Sequence, residues 1–298
     1  MPSSPYAQGA SFVTGAIAAA DDGWLVMTLD DLVRQDIANS ETCRFAAGRV
    51  NPVQPLPFRT RFAALMGGTD LFAVGEYGQC AQVSPGGQVR NEQISVDDET
   101  PEDRGPLRWG LALDERLVVV GMDRQVYLRE TDGRWRRMED GLPDPGADVT
   151  GFEHVCTAAD GELLTVGWEG EIWLFGQGRW RAVDSPTNRL LTCACTLANG
   201  ESFAGGRSGM LLRGRRDRWL VVDDSGCRED LVGLVAVGDE LFASSLRTLY
   251  RWNGRKLEPL DPQPAGSFAI FVQRGETTWS IGAKAVCAYR GSGWDQVA

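Results

Sequence analysis

Leu163-Leu-Thr-Val-Gly167, Trp168-Glu-Gly170 and Ile172-Trp-Leu-Phe175, closed by Gly178 and Trp180, carry the pattern that decides the fold. Two short apolar runs flank a tight turn bounded by glycines, and a second turn leads into a further run at Trp180. Runs this short, rich in Val, Ile, Leu and Trp and cut off by glycine, are strands of a meander and not turns of a helix. Upstream, Phe152-Glu-His-Val-Cys156 and the Asp160-Gly161 turn supply the missing first strand. The unit therefore has four strands.

The same unit recurs in both directions. Phe72-Ala-Val-Gly75 with Glu76-Tyr77-Gly78 and Gln79–Val83, Leu117–Gly121 with Gln125–Leu128, Phe203–Gly206 with Met210–Leu212 and Trp219, Leu241–Ser245 with Leu249–Trp252, and Trp279–Gly282 with Val286–Tyr289 and Trp294 all repeat it. Turns between first and second strands are spaced by about 46, 45, 46, 39, 39 and 36 residues, the period of one propeller blade. A sheet apolar on both faces must be sandwiched between neighbours, and a closed ring supplies neighbours for all. The chain is expected to be all-β, a closed β-propeller of about seven four-stranded blades in one domain over 1–298. The blades fall near 11–57, 58–106, 107–151, 152–189, 190–230, 231–265 and 266–298. The first is the least regular: Asp30-Asp-Leu-Val-Arg-Gln-Asp36 reads equally as helix, which leaves six blades and an appendage as the alternative.

Phe72–Gly78 and its cousin Val166–Gly170 resemble the blades of sialidase-like and photosystem-assembly-factor propellers, which carry a similar Val-Gly-x-x-Gly turn. The resemblance implies blade shape only. The full Ser/Thr-x-Asp-x-Gly-x-x-Trp box of sialidases is absent, with Thr131–Trp135 a contracted echo, and the Gly-His and Trp-Asp signatures of WD40 repeats are missing.

Composition narrows the function classes. The formal charge is −11, which repels phosphate backbones and anionic lipid, so neither nucleic acid nor membrane is expected as a partner. No apolar stretch is long enough to cross a bilayer as a helix, and Met1–Tyr6 lacks the basic and apolar regions of a secretory signal. Seven irregularly spaced cysteines suit reduced thiols in the cytoplasm better than a disulfide framework.

In a propeller the turns between second and third strands share one face, here the upper face, with the loops that enter the next blade. Those loops are acidic: Asp97, Asp98, Glu99, Glu102 and Asp103; Glu139, Asp140, Asp144 and Asp148; Asp184; Asp223, Asp224, Glu229 and Asp230; and Asp261, against Arg104, Arg189 and Arg228. The turns bring Glu76, Tyr77, Trp168, Glu169, Arg207 and Arg247. Tyr, Trp and Arg are the residue types that anchor interfaces, and Trp168, with little obvious core to fill, is the foremost candidate. On the lower face, arginines from Arg134 to Arg255 are partly cancelled by acidic turns such as Asp160, Glu162, Glu201 and Glu240.

Catalytic chemistry finds little support. His154 and Cys156, with Cys193 and Cys195 at the equivalent offset in the next unit, form a conceivable Cys₃His zinc set. The spacing is not that of a zinc finger, and small residues near a narrow axis account for the cysteines. A Cys–His nucleophile pair lacks a third, orienting group. No phosphate-cradling or dinucleotide loop is present. No catalytic residue, metal or cofactor is assigned. The expected function is a non-enzymatic, protein-binding propeller whose acidic upper face receives a basic protein. Within that class the expectation is a bacterial immunity protein neutralising a basic toxin, or an assembly adaptor. The alternative is a hydrolase or lyase with a carboxylate or metal site at the channel mouth.

Overall fold

The computed structural model describes residues 9–66, 68–146, 150–261, 263–264 and 266–298; Met1–Tyr6 and Asp148 lie outside the described residues. The chain is an all-β, seven-bladed β-propeller of four-stranded antiparallel sheets, each taken in chain order from one continuous stretch. The first blade is β1 (Ala10–Ala19), β2 (Asp22–Leu29), β3 (Ser40–Ala46) and β4 (Arg49–Leu56). Its ambiguous segment is helical, as α1 (Asp30–Arg34), but lies within the blade as the link from β2 to β3. Seven blades, not six, follow.

Contacts group the blades into two compact units. One unit holds the first, second and seventh blades. The second blade is β5 (Thr60–Met66), β6 (Asp70–Gly75), β7 (Gln79–Val83) and β8 (Val89–Gln93); the seventh is β25 (Ile270–Arg274), β26 (Thr277–Gly282), β27 (Ala285–Tyr289) and β28 (Trp294–Gln296). Leu25, Met27 and Phe45 of the first blade pack with Trp279, Ile281 and Val286 of the seventh. On the opposite side, Trp24 and Val26 pack with Leu71 and Ala73 of the second. Among the described residues no strand is exchanged between the seventh and first blades. The apolar seam, one backbone bond from Phe12 N–H to the Ala283 carbonyl at 3.0 Å and several side-chain bonds join them instead. Lys284 Nζ donates to the Ala10 carbonyl at 2.6 Å and pairs with Asp30 at 2.7 Å, and Arg290 pairs with Asp21 at 2.5 Å. The Lys284 bond, with help from Ser11 Oγ, holds the Asp30 carboxyl below its usual range.

The other unit holds the third to sixth blades. These are β9 (Leu107–Leu113), β10 (Arg116–Gly121), β11 (Val126–Arg129) and β12 (Trp135–Arg137); β13 (Phe152–Thr157), β14 (Leu163–Gly167), β15 (Ile172–Gly176) and β16 (Arg179–Val183); β17 (Leu191–Thr196), β18 (Ser202–Gly206), β19 (Leu211–Arg215) and β20 (Arg218–Val221); and β21 (Gly233–Val237), β22 (Glu240–Ser244), β23 (Leu249–Trp252) and β24 (Leu257–Pro259). Three apolar seams bind them in sequence: Val118, Val120, Phe152 and Trp180; then Leu164, Ile172, Ala194 and Leu212; then Phe203, Leu231, Leu241 and Leu257. Each large side chain removed from water here stabilises by about 1.5–3 kcal/mol, so the seams dominate cohesion. No helix among the described residues is long and apolar enough to cross a membrane.

Candidate functional site

The upper face is built on a repeated backbone latch. The residue that opens the turn between second and third strands donates its N–H to the loop leading into its own blade: Met122 to Pro106 at 3.0 Å, Trp168 to Gly151 at 3.0 Å and Arg207 to Leu190 at 3.2 Å. In the other unit Glu76 does the same to Arg59 at 3.1 Å. The middle residues Glu169 and Ser208 then sit at positive φ, 55° and 56°. Gly170 and Gly209 follow, also at positive φ, where a Cβ would collide with the carbonyl oxygens of Thr187 and Cys227. The frame is constant while the side chains it carries differ. Loops presenting varied residues from a rigid scaffold are how many folds build binding sites.

Trp168 is half-buried on this frame. Its indole N–H donates to Glu153 Oε1 at 2.7 Å, and the same oxygen lies 3.4 Å from Arg108 Nε. The ring is therefore positioned by the inner strands β9 and β13 and does not swing freely, as the sequence alone would allow. Glu169 follows it and is exposed; on the corresponding turns of the fifth and sixth blades Arg207 and Arg247 are exposed, as is Leu246 at 61%.

The candidate carboxylates occupy a different radius. Glu99 bridges back to Val96 and pairs with Arg137 on the outer strand β12, so the exposed Asp97 and Asp98 lie beside the rim of the third blade. The Asp140 carbonyl accepts the N–H of Trp180 on the outer strand β16. Asp223 and Asp224 lead into Ser225, whose carbonyl accepts from Leu257 on the outer strand β24. Each exposed cluster thus stands beside the outer strand of the blade it leads into, while Trp168, Arg207 and Arg247 stand on the turns of second strands. The structure separates the predicted residues into an acidic rim and an inner set of turn tips. In the other unit, Tyr77 is exposed at 37%, whereas Glu76 is buried and pairs with Arg61 at 2.5 Å; its charge is already engaged.

Other loop charges are structural. Arg104, with a side chain 8% exposed, holds Asp123 at 2.9 Å and Glu139 at 2.6 Å. Arg124 makes a two-pronged bond to Glu171 across to the fourth blade, its Nε at 2.8 and 3.0 Å from the two oxygens. Asp103 caps Thr100 within its own turn at 2.8 Å. Sequence reading missed these clamps because partners 19, 35 and 47 residues apart follow no local pattern.

The lower face neutralises part of its own charge. Arg181 pairs with Glu162 at 3.6 Å, Arg213 with Glu201 at 3.5 Å, Arg216 with Asp160 and Arg251 with Glu240. An open cavity of about 550 Å³ near Thr157, Asn199, Arg215 and Arg216 lies among these paired charges.

Cys156, Cys193 and Cys195 lie within electrostatic range of one another, each set in apolar packing. His154 stacks on Trp109 of the third blade, with ring centroids 5.0 Å apart, and burial lowers its pKa to about 3. Cys193 and Cys195 belong to the apolar seam between the fifth and sixth blades, and Cys156 packs against the seam between the fourth and fifth. Burial pushes the thiols of Cys156 and Cys193 up to about 12, which leaves them protonated and poor as nucleophiles. Among the described residues no group of three or more His, Cys, Asp and Glu side chains is placed to hold a metal ion.

No family model matches the chain. A curated protein, the immune protein Tsi7 of Pseudomonas aeruginosa, is 30% identical over 96% of this chain and 97% of its own length. Among solved structures, YCF48 bound to a D1 peptide superposes with a TM-score of 0.67 at 15% identity, covering 93% of this chain and 90% of that one. YCF48 from Cyanidioschyzon merolae gives 0.66 at 16%, covering 93% and 94%. These structural likenesses establish the fold alone.

Proposed function

The chain belongs to the family of the immune protein Tsi7, and from that premise we propose that it is an immunity protein that neutralises a protein toxin by binding it. The observation that carries this reading is the full-length match, which spans every blade. The site geometry supports it. Fixed turn tips, one of them a positioned tryptophan, present the residue types that anchor protein interfaces.

The finer part of the proposal concerns the surface and the sign of the partner. The upper face of the third to sixth blades is the docking surface. Its exposed rim carboxylates Asp97, Asp98, Asp140, Asp223 and Asp224 attract a basic toxin over a distance set by ionic strength. Trp168 then supplies contact area at low entropic cost, because its ring is already held by Glu153. The protein acts in the cytoplasm, a compartment suited to its seven free cysteines.

The test has two stages. Partners are captured from native lysate on the immobilised protein at low and high salt. Each captured protein is then expressed alone and together with this chain. A captured basic protein that arrests growth alone and is silenced by co-expression is the expected result. Failure of co-expression to relieve growth arrest by any captured protein would overturn the proposal.

A further inference from the structure

The upper face of this acidic protein carries a run of arginines without counter-charges. Arg189, Arg207 and Arg228 are all exposed, and none forms an ion pair or a guanidinium hydrogen bond among the described residues. Elsewhere most arginines are paired, from Arg104 in the third blade to Arg251 in the sixth and Arg290 in the seventh. These three are left open although Asp184, Asp223, Asp224, Glu229 and Asp230 lie in the same loops.

Their backbones are contiguous. Arg207 N–H bonds the carbonyl of Leu190, the residue after Arg189. The Arg207–Gly209 turn rests on Cys227 and Arg228, so closely that a Cβ on Gly209 would meet both. The adjacent Trp168–Gly170 turn rests in the same way on Thr187 and Asn188, just before Arg189. One carboxylate of this frame, Asp230, accepts the Ser208 backbone N–H at 2.7 Å. The loops thus fix three guanidinium-bearing residues in a row, while Asp230 and Asp224 are turned to backbone N–H groups. Guanidinium groups match carboxylates in a planar, two-pronged geometry.

We propose that Arg189, Arg207 and Arg228 form a carboxylate-accepting ridge that receives acidic side chains of the protein partner, a deepening that rests on the toxin-binding reading above. The partner surface is then bipartite: basic where it faces the rim carboxylates, acidic where it meets the ridge. Opposite signs at two radii fix the rotational register of the partner, which a uniformly acidic face would leave free. A protein carboxylate is favoured over a nucleic-acid phosphate because the chain as a whole carries −11, and the surrounding carboxylates repel a polyanion but tolerate a single acidic side chain.

The test uses the full chain, labelled with nitrogen-15, and three probes: capped hexaglutamate, capped hexalysine and hexathymidylate. Hexaglutamate is expected to shift the backbone amides of Arg189, Arg207 and Arg228. Replacing all three with Ala is expected to weaken that binding by about tenfold or more, with the remaining amide spectrum unchanged. The proposal is overturned if the shifts centre instead on the lower-face residues Arg179, Arg218 and Arg255, or if the triple variant binds hexaglutamate as wild type does. It is equally overturned if hexathymidylate displaces hexaglutamate from the ridge, which would mark a nucleic-acid site. Growth rescue separates the two readings. Wild type that rescues no captured toxin fails the immunity reading while leaving the ridge data intact. Rescue undiminished on changing all three arginines to Glu overturns the ridge as part of the neutralising surface.

Discussion

Trp279 of the seventh blade donates its indole N–H to the Ala20 carbonyl of the first at 3.2 Å. One blade on, Trp24 does the same to Thr69 of the second at 2.8 Å. Both tryptophans are third in their strands and fully buried, so each is a core side chain and a latch at once. Trp279→Phe retains most of the apolar contact and removes the bond. Ala20 is exposed, so water can reach its carbonyl once the bond is gone, and stability should fall by about 0.5–1.5 kcal/mol. Urea unfolding midpoints of Trp279→Phe and Trp24→Phe check this, with an unchanged slope expected for both.

The turn frame makes a second prediction. At Gly209 an added methyl group meets the Cys227 carbonyl, at a φ of 69°. Gly209→Ala should displace the Arg207–Ser208 tip and cost about 1–3 kcal/mol in local strain. Amide exchange at Ser208, whose N–H is bonded to Asp230, should accelerate relative to residues of the first and second blades.

His154 sets an acid limb. Its folded pKa of about 3 lies below its ordinary value of 6.5, so between those values the unfolded chain binds more protons than the folded one. Stability is therefore complete above about pH 6.5 and declines as pH falls toward 3, by at most about 1.4 kcal/mol per pH unit from this residue. His154→Phe retains an aromatic ring against Trp109 and removes the titration. Its unfolding free energy should be flatter than wild type between pH 6.5 and 4.5, a window above the carboxylate range.

The thiols should be inert. Burial raises Cys43, Cys156 and Cys193 to about 12 and Cys287 to about 11. A disulfide reagent at pH 8 is expected to titrate none of these four in the native protein and all seven cysteines after denaturation. Mass spectrometry of the quenched native reaction identifies any exception.

Rim and turn tips should separate kinetically once a partner is in hand. Changing Asp97, Asp98, Asp140, Asp223 and Asp224 to Asn should slow association and flatten its salt dependence. Trp168→Ala should act on dissociation, raising it about tenfold or more. Surface plasmon resonance across a salt series distinguishes the two effects.

The blade count was legible because turn chemistry is local: the Gly167–Gly170 and Gly206–Gly209 turns recur in sequence as they do in space. Asp30–Arg34 misleads only in what its helicity implies, since the helix is a link inside a blade and not the mark of an appendage. Radial position was not legible. Asp140 and Trp168 both belong to upper-face segments, yet one lies by an outer strand and the other on an inner-facing latch, a difference set by packing against neighbouring blades. The partners of Arg104, Arg124 and Trp168 were hidden for the same reason. Charge pairing across blades depends on three-dimensional register, and the chain pattern records only two-residue alternation and turns.

Because every sheet is cut from one unbroken stretch of chain, the hydrogen-bonded ladders need only short loops to close, and each blade can pair as soon as its own residues are made. The long-range joining falls to apolar packing between blades and a few bonds, such as Lys284 to Asp30 and Trp279 to Ala20, which span more than 250 residues. The slow search that distant strand pairing imposes on many all-β proteins is thereby confined to docking preformed blades. A cut between any two blades, with the seventh linked to the first, would leave all seven ladders whole.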